Sequence, residues 1–154
     1  MTPAKSVTQK VDVTSLNQLP TSLMRISPRV YDFSSFNDQW GDEGTMESNI
    51  PCTNLMNADI SLASTTDASY MFANHNVRYV TLSDTTNVKS FKGMFYKSYF
   101  LESLTIIGDI SNVEDFTDMF KNCASNGTFY YNPEYDYSKI IEILPSGWVA
   151  KPIE

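Results

Sequence analysis

Few side chains in this chain could carry out chemistry. The sequence contains a single histidine, His75, and two cysteines, Cys52 and Cys123. One histidine cannot supply a zinc site built from several His ligands, and no Gly-x-Ser-x-Gly elbow is present to expose a nucleophilic serine. We therefore predict no bound metal, no cofactor and no catalytic triad, and the sequence favours a protein that is not an enzyme.

One acid/base arrangement remains to be weighed, the pair of carboxylates Asp32 and Asp59. If their segments were neighbouring strands, the two residues would lie about 5 Å apart, near the separation of about 5–5.5 Å found in retaining glycosidases. No cleft is evident around them, and the Asp spacing of a calcium-binding loop is absent. A small hydrolase is the third of three functional hypotheses.

The elements that would position these residues belong to an internal repeat. A Met-Phe pair recurs at intervals of 23 and 25 residues. A period of about 20–30 residues, with one strand in each unit, is typical of solenoids. The three pairs are Met71-Phe72, Met94-Phe95 and Met119-Phe120.

The residues before each pair predict a short helix. In the second and third units apolar residues precede the methionine by six and three positions, as Val88 and Phe91 precede Met94, whereas Thr65 holds the earlier position in the first unit. Offsets of −6, −3, 0 and +1 lie on one side of a helical turn. We therefore predict a short helix, α or 3₁₀, in each unit, with these apolar side chains facing a core.

A strand is predicted after each helix, because the apolar residues there end in period-2 alternation. The segments 55–60, 77–82 and 101–106 share this pattern, and 31–33 and 129–131 are weaker copies. We expect about five parallel rungs with degenerate outer units. The last apolar position of each rung would be Phe33, Ile60, Leu82, Ile106 and Tyr131.

The residues that alternate with this apolar set form the candidate binding face. They are rich in hydroxyl groups, which meet water on most polar sheet faces but also suit a docking surface for a polar or basic protein partner, or for carbohydrate. The predicted face comprises Asp32, Asn57, Asp59, Tyr79, Thr81, Ser83, Ser103, Thr105 and Tyr130.

Two segments, 87–95 and 112–120, resemble the Asn-Val-x-x-Met/Phe-x-x-Met-Phe-x-x-Cys stretch of the BspA-type leucine-rich repeat family. The resemblance covers about residues 55–131, and the Cys position of that family falls at His75, Ser98 and Cys123. It implies an α/β repeat: a short right-handed leucine-rich-repeat solenoid with a parallel sheet of about five rungs and short helices or 3₁₀ turns opposite. It also implies adhesion or protein binding without catalysis, because the family consists of surface repeats of bacteria and of bacterial phages.

The ends of the chain are divided from the repeats by composition. We predict an N-terminal arm over 1–20, a solenoid over 21–137 and a C-terminal cap over 138–154, with a helical turn after Ser138 and Trp148 covering the last rung. Val11 and Val13 alternate with polar residues, so part of the arm could add to the sheet as a strand. Rungs about 4.8 Å apart would hold Cys52 and Cys123 too far apart for a disulfide, so both thiols should be free.

Charge and hydropathy exclude some partners. The net charge of −7 argues against nucleic acid and anionic membranes, which need a basic footprint. No run of 18 apolar residues could span a bilayer, and the first ten residues lack the apolar core of a secretory signal. Either a signal has been removed or the protein does not use that route.

Two interaction hypotheses therefore lead. The first is a non-enzymatic protein-interaction or adhesion module, located at the bacterial cell surface or outside the cell, that binds through the strand face. The second is a structural component of a larger assembly such as a phage virion, in which the N-terminal arm holds neighbouring subunits.

Overall fold

A computed structural model describes residues 9–12, 29–32, 40–50 and 57–154. Its main feature is a parallel sheet of seven strands in the order β1-β2-β5-β6-β7-β8-β9, accompanied by a small antiparallel hairpin, β3-β4. The strands are β1 (Gln9–Asp12), β2 (Arg29–Asp32), β3 (Gly41–Asp42), β4 (Glu47–Ser48), β5 (Asn57–Ser61), β6 (Tyr79–Ser83), β7 (Ser103–Ile106), β8 (Asn126–Tyr131) and β9 (Gly147–Pro152).

Strands β5 to β9 wind as a parallel solenoid of about four turns, which confirms the stacking predicted from the Met-Phe repeat. The expected inward ladder is also confirmed, because Ile60, Leu82, Ile106 and Tyr131 are Cα partners on successive strands. The period-2 half of each predicted segment forms the strand. In the segments 77–82 and 101–106, the residues before the strand belong to the connections.

The predicted register of β2 is wrong by two residues. Tyr31, and not Phe33, is the Cα partner of Ile60, and Asp32 is therefore the partner of Ser61. A shift of two residues keeps each side chain on the same face of a strand. The alternation of apolar and polar residues consequently could not distinguish the two registers. Phe33 itself lies outside the described residues.

The segments containing the Met-Phe pairs are β-turns, so the short helix predicted in each unit is wrong. In each unit the N–H of the methionine donates to the carbonyl three residues earlier, at Ala68, Phe91 or Phe116. The residue before each methionine has a positive φ, at 58° to 59°, as the third position of a type II turn requires. Both a β-turn and a helix bring residues i and i+3 together, which is why the apolar spacing suggested a helix.

The successive turns stack in register as a column, here called the turn column and made of residues 68–74, 91–97 and 116–122. Their backbones are joined by hydrogen bonds, for example from the N–H of Phe72 to the carbonyl of Met94 and from Phe95 to Met119, each 2.8 Å long. Asp67 and Asp115 accept the N–H two residues ahead of them and so fix the entry to their turns. The column therefore forms the second wall of the solenoid, opposite the sheet.

The core fills the space between the sheet and the turn column. Phe72, Phe95 and Phe120 stack on one another with centroids 5.8 Å apart and nearly parallel rings. The methionines beside them are buried, as are the inward residues of the strands. Each unit contributes the same apolar positions, so the core continues from rung to rung without a break.

The ends of the sheet are formed by the predicted arm and cap. Within residues 1–20, strand β1 adds to the sheet beside β2, as the alternation at Val11 suggested. Within residues 138–154, helix α1 (Ser138–Ile143) precedes β9, which pairs with β8 along six residues. Trp148 is buried against Phe120 and donates its Nε1–H to the carbonyl of Ala124, which confirms its predicted role over the last unit.

Candidate binding face

The outward side chains of β5 to β8 lie in straight rows across the strands, because the parallel pairing is in register. The first row is Asn57, Tyr79, Ser103 and Thr128, and it continues to Val149 on β9. The second row is Asp59, Thr81, Thr105 and Tyr130, and it continues to Lys151. We call these two rows the strand face.

Seven of the nine predicted site residues lie in these two rows. Ser83 is placed one step further along, as the Cα partner of Ser61, and its hydroxyl donates to the carbonyl of Ile60 at 3.4 Å. Asp32 is not in line with Asp59, because of the register of β2. Asp32 and Asp59 are therefore not the directly adjacent carboxylates that the sequence predicted.

The strand face combines hydroxyl groups with exposed rings. Neighbouring strands are about 4.8 Å apart, and successive outward residues of a strand are about 7 Å apart. Tyr79 and Tyr130 stand on this grid with 40% and 36% of their surface exposed. The threonines and serines between them are half-buried. A ring with a hydroxyl group offers apolar contact and a hydrogen bond at one position, a combination common in recognition surfaces.

Charge is arranged in opposite signs along the second row. Asp59 stands at one end, and Lys151 at the other is exposed. Burial raises the pKa of the Asp59 carboxyl above its ordinary value of 3.8, while the hydrogen bond from Thr81 opposes this shift. The carboxylate end of the row is thus partly withdrawn from water, and the opposite end is solvated.

Sequence reasoning missed an aromatic margin beside the strand face. Tyr99 and Phe100, which precede β7, expose 57% and 50% of their surface. The guanidinium of Arg78 lies 5.7 Å from the centroid of the Phe100 ring and 3.5 Å from Glu102. The sequence could have indicated this margin, because these two aromatic residues do not occupy the repeat positions whose side chains point inward.

The positions that matched the family's cysteine serve the fold. His75 is buried, and its Nδ1 accepts the N–H of Val77 at 3.0 Å. Ser98 is buried and donates to the carbonyl of Phe72 at 2.8 Å. Cys123 is a free thiol whose pKa is raised to about 11 by burial. Cys52 lies outside the described residues.

Within the described ranges, no group of three or more His, Cys, Asp or Glu side chains is arranged to hold a metal ion. Over the same part of the chain, no helix has the length and apolar character to cross a membrane.

Comparisons with known proteins gave no match: none from a scan against protein-family models, none among curated proteins and none among solved structures.

Proposed function

We propose that this chain is a non-enzymatic interaction or adhesion module that binds its partner through the strand face. The observation that carries the proposal is the regular grid itself, in which two exposed tyrosines stand among half-buried hydroxyl groups on a rigid sheet. Such a surface is already ordered before binding, so association would cost little conformational entropy.

Exposed apolar residues support this choice of face. Val149 in the first row is 52% exposed, and Ile107, one residue beyond the inward Ile106, is 43% exposed. Together with Tyr79 and Tyr130 they place several large apolar groups on one side of the molecule. Concentrated exposed apolar area is typical of interaction sites on soluble proteins.

The partner that suits this chemistry is the polar surface of another protein, or a carbohydrate. Tyrosine rings can pack against apolar side chains or against the apolar face of a sugar, and the threonine and serine hydroxyls supply hydrogen bonds. A hydrolase is disfavoured, because Asp32 and Asp59 are not ladder partners.

Leucine-rich-repeat identity is part of this proposal. The Asn of the Asn-Val stretch has a structural use in both full copies of the motif. Asn87 donates its side-chain amide to the carbonyl of Ala63, and Asn112 donates to Thr86, at 2.9 and 2.7 Å. Each asparagine thus ties its own unit to the preceding one, and a repeat would retain it for that reason. Such repeats suit a bacterial cell-surface, extracellular or phage-borne protein.

An assembly role through the N-terminal arm has less support. Residues 9–12 of the arm pair with β2 of the same chain. One edge of these four residues is therefore engaged within the domain, which leaves less of the arm to hold a neighbouring subunit.

The proposal is tested by removing the two rings. The protein would be applied to immobilised extracellular-matrix proteins and to a glycan array, and the double variant Tyr79→Ala/Tyr130→Ala compared with wild type. We expect a loss of at least about tenfold in affinity for any ligand detected, since exposed tyrosines are frequent hot spots. Tyr135→Ala is the matched control, because Tyr135 is 41% exposed and lies outside the two rows. An equal loss of affinity in the double variant and in the control variant Tyr135→Ala would reject the strand face as the binding surface.

A further inference from the structure

The turn column ends in a row of backbone donors that no described residue accepts. In its two internal interfaces, every second N–H of one turn donates to a carbonyl of the next turn. The donors at 68, 70, 72 and 74 reach the carbonyls at 90, 92, 94 and 96, and the donors at 91, 93, 95 and 97 reach those at 115, 117, 119 and 121. The equivalent donors of the last turn are Phe116, Asp118, Phe120 and Asn122, and within the described ranges their N–H groups have no acceptor.

The chain leaves this row open because the next unit lacks a turn. After β8, residues 132–146 pass through helix α1 and enter β9 directly. The sheet gains another strand, and Trp148 covers Phe120, but no further turn is laid on the column. The four N–H groups therefore face a position that a backbone occupies in each of the earlier units.

A groove lies at this open end. Its volume is about 540 Å³, and its lining combines the last turn with the end of α1. Phe116 is half-buried there and Ile143 is 41% exposed, so the groove offers apolar surface beside the N–H groups. The lining consists of residues 116–121, Ile143 and Pro145.

We propose that this open end of the turn column binds a segment of another protein, which adds its main chain as the next layer. The segment would present carbonyl groups on alternate residues to the four N–H groups and place an apolar side chain in the groove. The argument rests on complementarity, since the same surface is covered in this way twice within the molecule. Addition of a chain to an unpaired backbone edge is an established mode of peptide recognition.

A second copy of the chain does not fit this role by continuing the stack. The opposite end of the column presents the carbonyls of residues 67, 69, 71 and 73, and two of these are engaged by the hairpin β3-β4. Ser48 donates its N–H to the carbonyl of Ala73 and its hydroxyl to the carbonyl of Met71. Two of the four acceptors that a neighbouring copy would need are thus already used inside the chain, so a second copy could not pair with all four N–H groups without competing with Ser48.

A peptide with the sequence of residues 112–124, carrying Cys123→Ser, is a suitable probe. In the intact chain this segment supplies the carbonyls that cover the turn 91–97. We expect saturable shifts of the backbone N–H resonances of Phe116, Asp118, Phe120 and Asn122 within about 1 mM peptide, measured by two-dimensional NMR. Before peptide is added, these four N–H groups should exchange at least about 100-fold faster than those of Phe91, Gly93, Phe95 and Lys97.

Two helix variants separate the groove from general effects of charge. Ile143→Glu should weaken peptide binding at least about tenfold, because the carboxylate enters the apolar groove. Ile141→Glu is the matched control, since Ile141 is 39% exposed on the same helix and does not line the groove. Both residues are exposed enough for the variants to fold, and Ile141→Glu should bind within about twofold of wild type.

Several results would overturn this inference. These are the absence of saturable shifts, shifts confined to the strand face, slow exchange of the four N–H groups in the free protein, or equal weakening by both variants. Self-association that protects the four N–H groups without peptide would also reject it, since the occupant would then be a second copy. The Tyr79→Ala/Tyr130→Ala variant should bind the peptide normally, so this proposal and the strand-face proposal can fail separately.

Discussion

Removing the central ring of the aromatic stack is expected to be among the most costly single changes in this fold. Phe95 is fully buried and stacks on Phe72 and Phe120, with both centroids at 5.8 Å. Phe95→Ala therefore leaves a cavity in contact with three consecutive units. The backbone around it is fixed by hydrogen bonds to the next turn, so the site cannot collapse easily to fill the space.

The expected cost follows from burial and from the two ring contacts. Phe→Ala in a core costs about 3–5 kcal/mol, with the larger values where the cavity stays open. Loss of two aromatic contacts, each worth about 0.5–1.5 kcal/mol, places Phe95→Ala near about 4–5 kcal/mol. Phe116 is half-buried and has one ring contact, with Phe91 at 6.2 Å. Phe116→Ala should therefore cost only about 2 kcal/mol.

Urea unfolding, followed by tryptophan fluorescence and circular dichroism, gives the comparison. With an m-value of about 2 kcal/mol/M, Phe95→Ala should lower the midpoint by about 2–2.5 M and Phe116→Ala by about 1 M. Phe100→Ala is the surface control, because half of that side chain is exposed, and its midpoint should change by less than about 0.3 M.

The outcome that refutes this reasoning is a similar shift for Phe95→Ala and Phe100→Ala. The aromatic stack would then not stabilise the solenoid. A lower m-value for Phe95→Ala, with noncoincident fluorescence and circular dichroism transitions, would instead show that units on either side of the cavity unfold separately, as weakly coupled repeats do.

Two further predictions concern titration and backbone conformation. Burial raises the pKa of Asp59 in the folded state, so the stability that this residue contributes below pH 3.8 is lost as the pH rises through the folded-state pKa. The hydrogen bond from the N–H of Thr117 lowers the pKa of Asp115, so the stability that Asp115 contributes is present above its ordinary pKa of 3.8 and is lost as the pH falls. Relative to wild type, Asp59→Asn should therefore become more stable between pH 3 and pH 7, and Asp115→Asn should become less stable. The urea midpoint of each variant is compared with that of wild type at both pH values, and differences that change in the same direction for the two variants would contradict these assignments. Gly93 has a φ of 59°, and a Cβ there would meet the Tyr70 ring, so Gly93→Ala should cost at least about 1–2 kcal/mol of stability. Gly44→Ala, in the exposed hairpin, is the control and should be nearly neutral. Equal melting temperatures for the two variants would refute this prediction.

The part of the fold that could be predicted is the part set by period-2 alternation. Residues such as Val80 and Leu82 must face one way and Thr81 the other, so the sequence indicated both the inward ladder and the rows of the strand face. Helix prediction failed because i and i+3 are neighbours in a β-turn as well as in a helix. The deciding feature is a positive φ at the third position of the turn, which glycine supplies at 93 but Tyr70 and Asp118 supply elsewhere.

The candidate site shows the same division. The two rows followed from alternation and from the repeat length. Phe100 and Tyr99 could have been flagged as off the repeat, but only the structure shows them exposed beside Arg78. The pairing of Asp32 with Ser61 could not be predicted from the alternation, because a shift of two residues in register leaves every side chain on the same face of the sheet.

The amino-acid sequence by itself determined that the units stack, which side chains are apolar enough to be sealed between them, and that chemistry-bearing residues are scarce. These properties depend on a local residue pattern, and that pattern recurs in each unit. Tertiary structure decided how the stack ends. Whether the last turn is covered depends on the path of residues 132–146, and that path is set by competition between another turn and the packing of α1 and Trp148. Contacts of this kind join distant parts of the chain, and no repeat pattern encodes them.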